Sequence, residues 1–118
     1  MADKTEYSEE RLRLGLARLL AAAVDASGRA KCDVAADAGL HKDALRRVLQ
    51  GQRSATLGEG LRILEACRVA PRAHLLLFVV CGEDQAIDWL QTDLAEFFEE
   101  FSAEFPRALH RSLGDNVG

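Results

Sequence analysis

Hydrogen-bond donors are concentrated in one short stretch of the chain. Two of them, Arg46 and Arg47, carry guanidinium groups, which form paired hydrogen bonds with phosphates and with the edges of nucleobases. Such groups recognise a surface rich in acceptors and do not by themselves break a covalent bond. The stretch therefore indicates binding and not catalysis. Its candidate binding residues are His41, Lys42, Asp43, Arg46, Arg47, Gln50, Gln52 and Arg53.

Catalytic and metal-binding patterns do not occur in the sequence. The chain contains no Ser-His-Asp cluster, phosphate loop, HExxH motif or paired-carboxylate constellation. Its three cysteines, Cys32, Cys67 and Cys81, lack the C-x-x-C spacing of a zinc site, and their odd number does not suit a disulfide framework. We therefore predict a protein that is not an enzyme and has no metal site and no cofactor.

Two short helices separated by a glycine turn are predicted to position the donors. Gly39 can adopt the left-handed backbone conformation that ends the first helix, and Ala35 is small enough for a close helix crossing. Leu40 can reach the core from the turn, while Leu45 and Val48 face inward from the second helix. The polar residues of the second helix are then left on its outer side, where a recognition helix meets the DNA major groove.

This pattern resembles the helix-turn-helix of the Cro/cI-like (XRE) family of DNA-binding regulators. The resemblance spans roughly residues 12–80 and is most specific between Val34 and Gly51. The chain differs from the family at His41, where the family often has a serine cap, and at Cys32, where it often has glutamine. The matching residues are Val34, Ala35, Gly39, Leu40, Leu45, Val48 and Gly51.

The resemblance implies an all-α fold, in which a five-helix Cro/cI-like DNA-binding domain precedes a C-terminal amphipathic helical extension. We expect a flexible tail over residues 1–7, the domain over 8–81 and the acidic extension over 82–118. Double-stranded DNA is the implied partner, and the implied contacts include Lys31 and Cys32 at the start of the first motif helix. In this family the loop with Gln52 and Arg53 lies near the DNA backbone; an ordinary exposed connection is the alternative.

Helical spacing extends on both sides of the motif. Ser8 can cap a first helix whose core face is Leu12, Leu16, Leu19, Leu20 and Ala23. Thr56 and Glu59 form the pattern of a capping box, so a fourth helix is expected to run to about Arg68 and to pack Leu57, Leu61 and Leu64. Pro71 suits the start of a fifth helix containing the apolar run 75–80, LLLFVV, which requires cover on a second face. A strand is the alternative for this run.

The C-terminal region combines an apolar stripe with many acids. We predict a long helix from Asp84 to Phe105, broken or kinked at Pro106. Its stripe can fold back as core of the same chain, or it can form a homodimer interface together with the LLLFVV helix; we favour the dimer. The predicted dimerisation residues are Leu76, Phe78, Val79, Ile87, Leu90, Leu94, Phe97, Phe98, Phe101 and Phe105.

Charge divides the chain into two parts. Residues 29–72 contain nine Lys or Arg and five acids, a net charge of +4, although the whole chain carries −4. Residues 83–105 contain eight acids and no base. Because local charge governs attraction to phosphates, the basic part can still bind DNA while the acidic part faces away from it. No apolar run is long enough for a membrane span, and the N-terminus is unlike a signal peptide, so we expect a cytoplasmic protein without a membrane partner.

These features favour a sequence-specific transcriptional regulator, with repression more expected than activation. A homodimer would occupy a near-palindromic operator and block polymerase. The alternative is a DNA-binding antitoxin or adaptor that acts through a protein partner held by the acidic C-terminal helix. In either case Arg46 is suited to a paired contact with guanine and Arg47 to a phosphate. Asp43 could accept from cytosine, but we prefer a role in stabilising the N-terminus of its helix.

Overall fold

A computed structural model describes the backbone of residues 7–92 and 94–117. The side chains of these residues are described except for those of 91, 94, 95, 102 and 115–117. The predicted flexible tail therefore lies almost entirely outside the described residues. Within the described part all regular structure is helical, which confirms the all-α class. The helices are α1 (Glu9–Ser27), α2 (Lys31–Ala38), α3 (Lys42–Leu49), α4 (Leu57–Ala66), α5 (Pro71–Cys81), α6 (Glu83–Asp88), a 3-10 helix (Trp89–Gln91) and α7 (Leu94–Val117).

Local sequence signals set most of the helix ends. Ser8 accepts a hydrogen bond from the backbone N–H of Arg11 and so caps α1. Thr56 and Glu59 form the predicted capping box at α4, and Pro71 occupies the first turn of α5. The apolar run 75–80 is therefore helical, and the strand alternative is wrong. Proline suits this position because its missing N–H would have no partner in the first turn of a helix.

The main core lies between α1, α2, α3 and α4. Fully buried leucine, isoleucine and valine side chains from all four helices meet there, and Leu40 packs against them from the turn. Four predicted core residues do not belong to it. Leu57 is 72% exposed, Leu12 is also exposed and Leu61 is half-buried, whereas Leu19 is buried in the smaller core described next.

A second, smaller core joins α1 and α5 to α6. Leu19, Leu77 and Ala86 are buried together, and Trp89 and Phe98 pack against them. On the outer side of α5, Val79 is 71% and Val80 is 69% exposed. Helices of the same chain therefore cover only part of LLLFVV, and the predicted cover of its second face by a dimer partner stays a prediction.

The C-terminal region is not one helix from Asp84 to Phe105. The chain tightens into the 3-10 helix at Trp89, becomes extended at Thr92 and forms α7 from Leu94. Pro106, which was predicted to break or kink the helix, lies inside α7, so the predicted break is wrong. Its side chain is exposed, and it removes only one backbone hydrogen bond from a helix of 24 residues.

Candidate nucleic-acid interface

The glycine turn between α2 and α3 has the predicted geometry. Gly39 adopts the left-handed conformation with φ of 71°, and the N–H of Leu40 donates to the carbonyl of Ala35 at 2.8 Å. Ala35 is buried where the two helices approach each other. Because a left-handed residue reverses the chain direction within one step, α3 starts at Lys42 with its axis turned away from that of α2.

The beginning of α3 is capped by the side chain of His41, for which a cap and a phosphate contact were both open. The Nδ1 atom of His41 accepts a hydrogen bond from the backbone N–H of Asp43 at 3.2 Å. Histidine therefore does here what serine does at many helix starts, and Asp43 places a carboxylate in the positive first turn.

The two sides of α3 differ sharply. Leu45 and Val48 are buried in the main core. All the predicted binding residues of this helix and its two caps have exposed side chains: His41, Lys42, Asp43, Arg46, Arg47 and Gln50. Helix α3 thus presents a continuous polar face to solvent from a rigidly packed base.

Two cations on this face are not neutralised within the described residues. Lys42 and Arg47 form no ion pair there. The Nε of Arg46 lies 3.9 Å from an oxygen of Asp43, at the outer limit of an ion pair, and both side chains are at least half exposed. A contact so long and so hydrated is weak, so Arg46 can reach a competing acceptor.

Arg53 has a different environment from the one predicted. Its two terminal nitrogens lie 3.2 and 2.9 Å from the two carboxylate oxygens of Glu59, and Glu59 is nearly buried. The hydrogen bonds from Arg53 and from the backbone N–H of Thr56 lower the pKa of Glu59. Arg53 thus holds the loop onto α4, and its neighbour Gln52 remains exposed.

The remaining predicted contacts lie at the start of α2. Lys31 and Cys32 are both exposed in its first turn. Like Cys32, Cys81 is an exposed free thiol, whereas burial raises the pKa of the Cys67 thiol. The structure thus exposes every predicted nucleic-acid contact except Arg53, which is half-buried.

Several arginine side chains form hydrogen bonds with backbone carbonyls of distant parts of the chain. The Nε of Arg13 donates to the carbonyl of Gly51 at 2.8 Å, and Arg62 donates to the carbonyl of Ala38 at 3.0 Å. Arg29 donates to the carbonyl of Ala66 and pairs with Asp37 at 2.7 Å. The sequence gives no local signal for these bonds, because donor and acceptor are 24 to 38 residues apart.

The predicted dimerisation residues separate into two groups. Leu76 and Val79 on α5 are exposed, as are Phe97, Phe101 and Phe105 on α7. Ile87, Leu90 and Phe98 instead pack against buried residues of the same chain, and Phe78 is also half-buried. The side chain of Leu94 lies outside the described residues. Two further apolar residues, Leu109 and Leu113, are exposed on α7 beyond Pro106, where the sequence indicated only a short turn.

Other chemistry has little support in the described part of the chain. No group of three or more His, Cys, Asp and Glu is arranged there to hold a metal ion. An open groove of about 460 Å³ is lined by His74, Glu96, Glu99 and Glu100. The Nδ1 of His74 donates to the carbonyl of Ala70 at 2.8 Å, which leaves its buried Nε2 without a partner. The described helices include none that is long and apolar enough to cross a membrane.

No protein-family model, curated protein or solved structure matches this chain.

Proposed function

We propose that this protein is a sequence-specific DNA-binding transcriptional regulator that reads the major groove with α3. The observation that carries the proposal is the division of α3 into a fully buried side and a polar side with Lys42, Arg46 and Arg47. A helix of eight residues is about 12 Å long at ~1.5 Å per residue, and the major groove admits such a helix.

The packing of the helices supports this assignment. Helix α3 packs against α1 and α2, whereas the acidic α7 packs against α5 and the 3-10 helix. The helix with unpaired cations therefore does not share a packing surface with the helix that bears Glu96, Glu99 and Glu100. This separation lets the field near α3 stay positive although the net charge of the chain is −4.

Each exposed residue has its own proposed role. Arg46 contacts a base edge, with guanine as the preferred acceptor, and Lys42 reaches a neighbouring base. Arg47 and Lys31 contact phosphates, as do Gln52 and the backbone amides near it. Gln50 and Cys32 lie at the edge of this surface. Asp43 and His41 hold the first turn of α3, and Arg53 supports the loop through Glu59.

The proposed mechanism is occlusion by a homodimer. Two copies related by a two-fold axis would present their α3 helices to successive major grooves, about 34–36 Å apart or a multiple of that distance, on a near-palindromic operator. Repression is the preferred direction, because a dimer that covers an operator blocks polymerase by occupying the site.

One observation favours a second candidate, a DNA-binding antitoxin or adaptor. The C-terminal half of α7 is exposed, and its apolar residues could hold a different protein. Expression of the chain with its neighbouring genes and purification of the complex would separate the two. A second protein that remains bound through α7 and changes the DNA affinity supports the adaptor.

Selection of bound fragments from random DNA, followed by sequencing, tests the proposal. We expect an enriched motif with an inverted repeat. Titration of that motif and of a scrambled duplex at two salt concentrations should then give tighter binding to the motif, by at least 10³-fold in Kd. Recovery of random sequences, with equal affinity for both duplexes, would overturn the proposal of sequence-specific binding.

A further inference from the structure

The C-terminal half of α7 makes no packing contact that buries it. Every residue from Ala103 to Gly114 is exposed, whereas Phe98, only a few residues earlier, packs on Trp89 with ring centroids 5.6 Å apart. A helix of about a dozen residues without tertiary contacts is marginal in water. This half of α7 therefore needs a stabilising surface beyond those that the described residues supply.

An apolar row follows this unsupported part of the helix. Its members are each four residues apart, are between 45% and 60% exposed, and are Phe97, Phe101, Phe105, Leu109 and Leu113. The rings of Phe101 and Phe105 contact each other with centroids 5.6 Å apart, so the row forms a continuous ridge. Ridges made of residues four apart pack well against the same kind of ridge on another helix.

Charge along α7 changes sign at the middle of this row. Four acids precede it, and two bases and one acid follow it: Glu96, Glu99, Glu100 and Glu104, then Arg107, Arg111 and Asp115. The row is also symmetric in sequence about Phe105. A second copy of the helix, reversed in direction about this residue, places Phe101 opposite Leu109 and Phe97 opposite Leu113. The reversal also brings the acidic half of each helix to the basic half of the other.

We infer that α7 pairs with α7 of a second copy of this chain, antiparallel and with the two-fold axis at Phe105. In this arrangement Glu104 and Glu100 each lie within one residue, about 1.5 Å along the axis, of the level of Arg107 and Arg111 of the partner subunit. A parallel pair would place acid against acid in the first half of the helix and base against base in the second, and like charges across an interface disfavour it. The inference rests on the homodimer of the proposed function and names the surface that forms it, but the pairing itself does not require DNA.

The apolar row supplies the affinity and the charges select the direction. Phenylalanine rings bury large areas, whereas exposed ion pairs contribute little. The pair between Glu104 and Arg107 within one chain, at 3.4 Å with both side chains exposed, can therefore exchange for pairs between subunits at small cost. Two chains of the same sequence thus have one favoured orientation.

Disulfide trapping in the full-length chain tests the direction and the register. Cys32 and Cys81 are first replaced by serine, because both thiols are exposed, while Cys67 is buried and is retained. Phe101→Cys is then introduced into one chain and Leu109→Cys into a second chain that carries a size tag. We expect the mixture to form the mixed disulfide, because opposed Cα atoms of a tightly packed pair fall within the 4.4–6.8 Å that a disulfide requires.

Two further variants complete the design. Phe105→Cys alone should form a disulfide-linked dimer, since this residue faces itself across the axis. Ala103→Cys alone should not, because its side chain lies on the opposite side of the helix and is exposed. Phe101→Cys alone should also remain unlinked, because its two copies are about 12 Å apart along the helix at ~1.5 Å per residue.

Disulfide formation by Phe101→Cys alone, as complete as in the mixture, would show a parallel pair and overturn the proposal. So would a monomer at micromolar concentration for the unmodified chain, measured by light scattering coupled to size exclusion. Neither measurement contains DNA. A chain that passes both tests but selects no operator would therefore retain this inference and lose the proposed function.

Discussion

Arg46 and Arg47 are adjacent in sequence and both exposed, yet they should contribute differently to binding. Arg46→Ala should weaken binding to the selected operator by about 1–3 kcal/mol and relax the preference at one base pair, because it removes a paired contact with a base. Arg47→Ala should weaken cognate and random DNA alike and make the slope of log Kd against log salt shallower by about one unit, because it removes one phosphate contact.

The control for both variants is Arg72→Ala, which removes an exposed arginine from α5, at a distance from the proposed contact surface in sequence and packing. Neither α3 variant should change the melting temperature by much, since neither side chain is part of the core. Parent-like binding by both Arg46→Ala and Arg47→Ala would show that α3 is not the recognition helix.

The ion pair between Arg53 and Glu59 should make the free energy of unfolding depend on pH in the acid range. The folded-state pKa of Glu59 lies below its ordinary value of 4.5, chiefly because Arg53 donates to it. A lowered pKa stabilises the fold above the unfolded-state pKa, and this stabilisation is lost as the pH falls through the folded-state pKa. Glu59→Gln should therefore cost about 1–3 kcal/mol at pH 7 and much less at pH 2–3.

Denaturant titrations of the parent and of Glu59→Gln across this pH range measure the difference. Glu65→Gln is the control, since Glu65 is exposed and forms no ion pair among the described residues. A constant difference in unfolding free energy between parent and Glu59→Gln from pH 7 to pH 2 would contradict an ionised Glu59 that pairs with Arg53.

At the scale of single residues, the sequence predicted which side chains are exposed better than it predicted their hydrogen-bond partners. The outward donors of α3 follow from its period, because Leu45 and Val48 fix the buried side. The internal bonds of Arg13, Arg29 and Arg62 do not follow from any period, since each joins distant parts of the chain. The basic segment therefore has fewer free cations than its composition indicates, and Arg53 is another that the fold uses.

The C-terminal ends of three helices are stabilised in the same way. The C-terminal carbonyls of α2 and α4, and a carbonyl just after α3, each accept a hydrogen bond from an arginine of another segment. A positive group at the negative end of a helix is favourable, and it also satisfies a carbonyl that has no partner within the helix. These bonds fix the mutual positions of the helices that carry the proposed interface.

The turn between α2 and α3 provides a test at the level of elements. Gly39→Val should destabilise the protein by at least about 1–2 kcal/mol, because a branched residue is strained at φ of 71°. Gly39→Asn is the matched control and should lose less, since asparagine tolerates this conformation. No atom lies within 4 Å of an added Cβ here, so the loss would report backbone strain and not a clash.

Thermal unfolding followed by circular dichroism would measure both variants. A Gly39→Val protein that melts at the same temperature as the parent would be incompatible with the left-handed turn. Ala35→Leu should also lower the melting temperature. Ala35 is on the buried side of α2, and a larger side chain there would push α2 away from the helices packed against it.

The existence of most helices could be predicted from the sequence, and some of their contacts could not. Caps, the glycine turns and Pro71 are local signals, and they placed α1 to α5 within a few residues. The break before α7 and the survival of the helix through Pro106 depend on tertiary packing and solvent access, which no short window contains. For the same reason the apolar stripe was read as a single surface, although its first part packs within the chain.

For the whole molecule, the central question is whether α7 unites two DNA-binding units. Removal of residues 103–118 should give a monomer with nearly the melting temperature of the parent, because the deleted helix half packs on nothing described. Affinity for the operator should fall towards the range of non-specific complexes, on the order of 10⁻⁴–10⁻⁶ M, because each monomer makes few phosphate contacts. Light scattering and binding titrations on the same samples would check both effects.

Phe101→Asp combined with Phe105→Asp should reproduce the monomer in the full-length chain. A truncation after Gly82 would be a poorer test, since it also removes Ala86 and Trp89 from the smaller core. A shortened chain that stays dimeric would place the interface elsewhere, with the exposed residues Leu76 and Val79 of α5 as the next surface to change.

The unsupported half of α7 also ties the lifetime of the chain to its abundance. If this half is ordered only in the pair, a dilute solution holds chains whose last helix frays, and frayed ends are the preferred sites of proteolytic cleavage. Each new molecule would then protect those already present, so the protein would accumulate more steeply than its rate of synthesis. Limited proteolysis at nanomolar and micromolar chain concentrations would show this as faster removal of the C-terminus in the dilute sample.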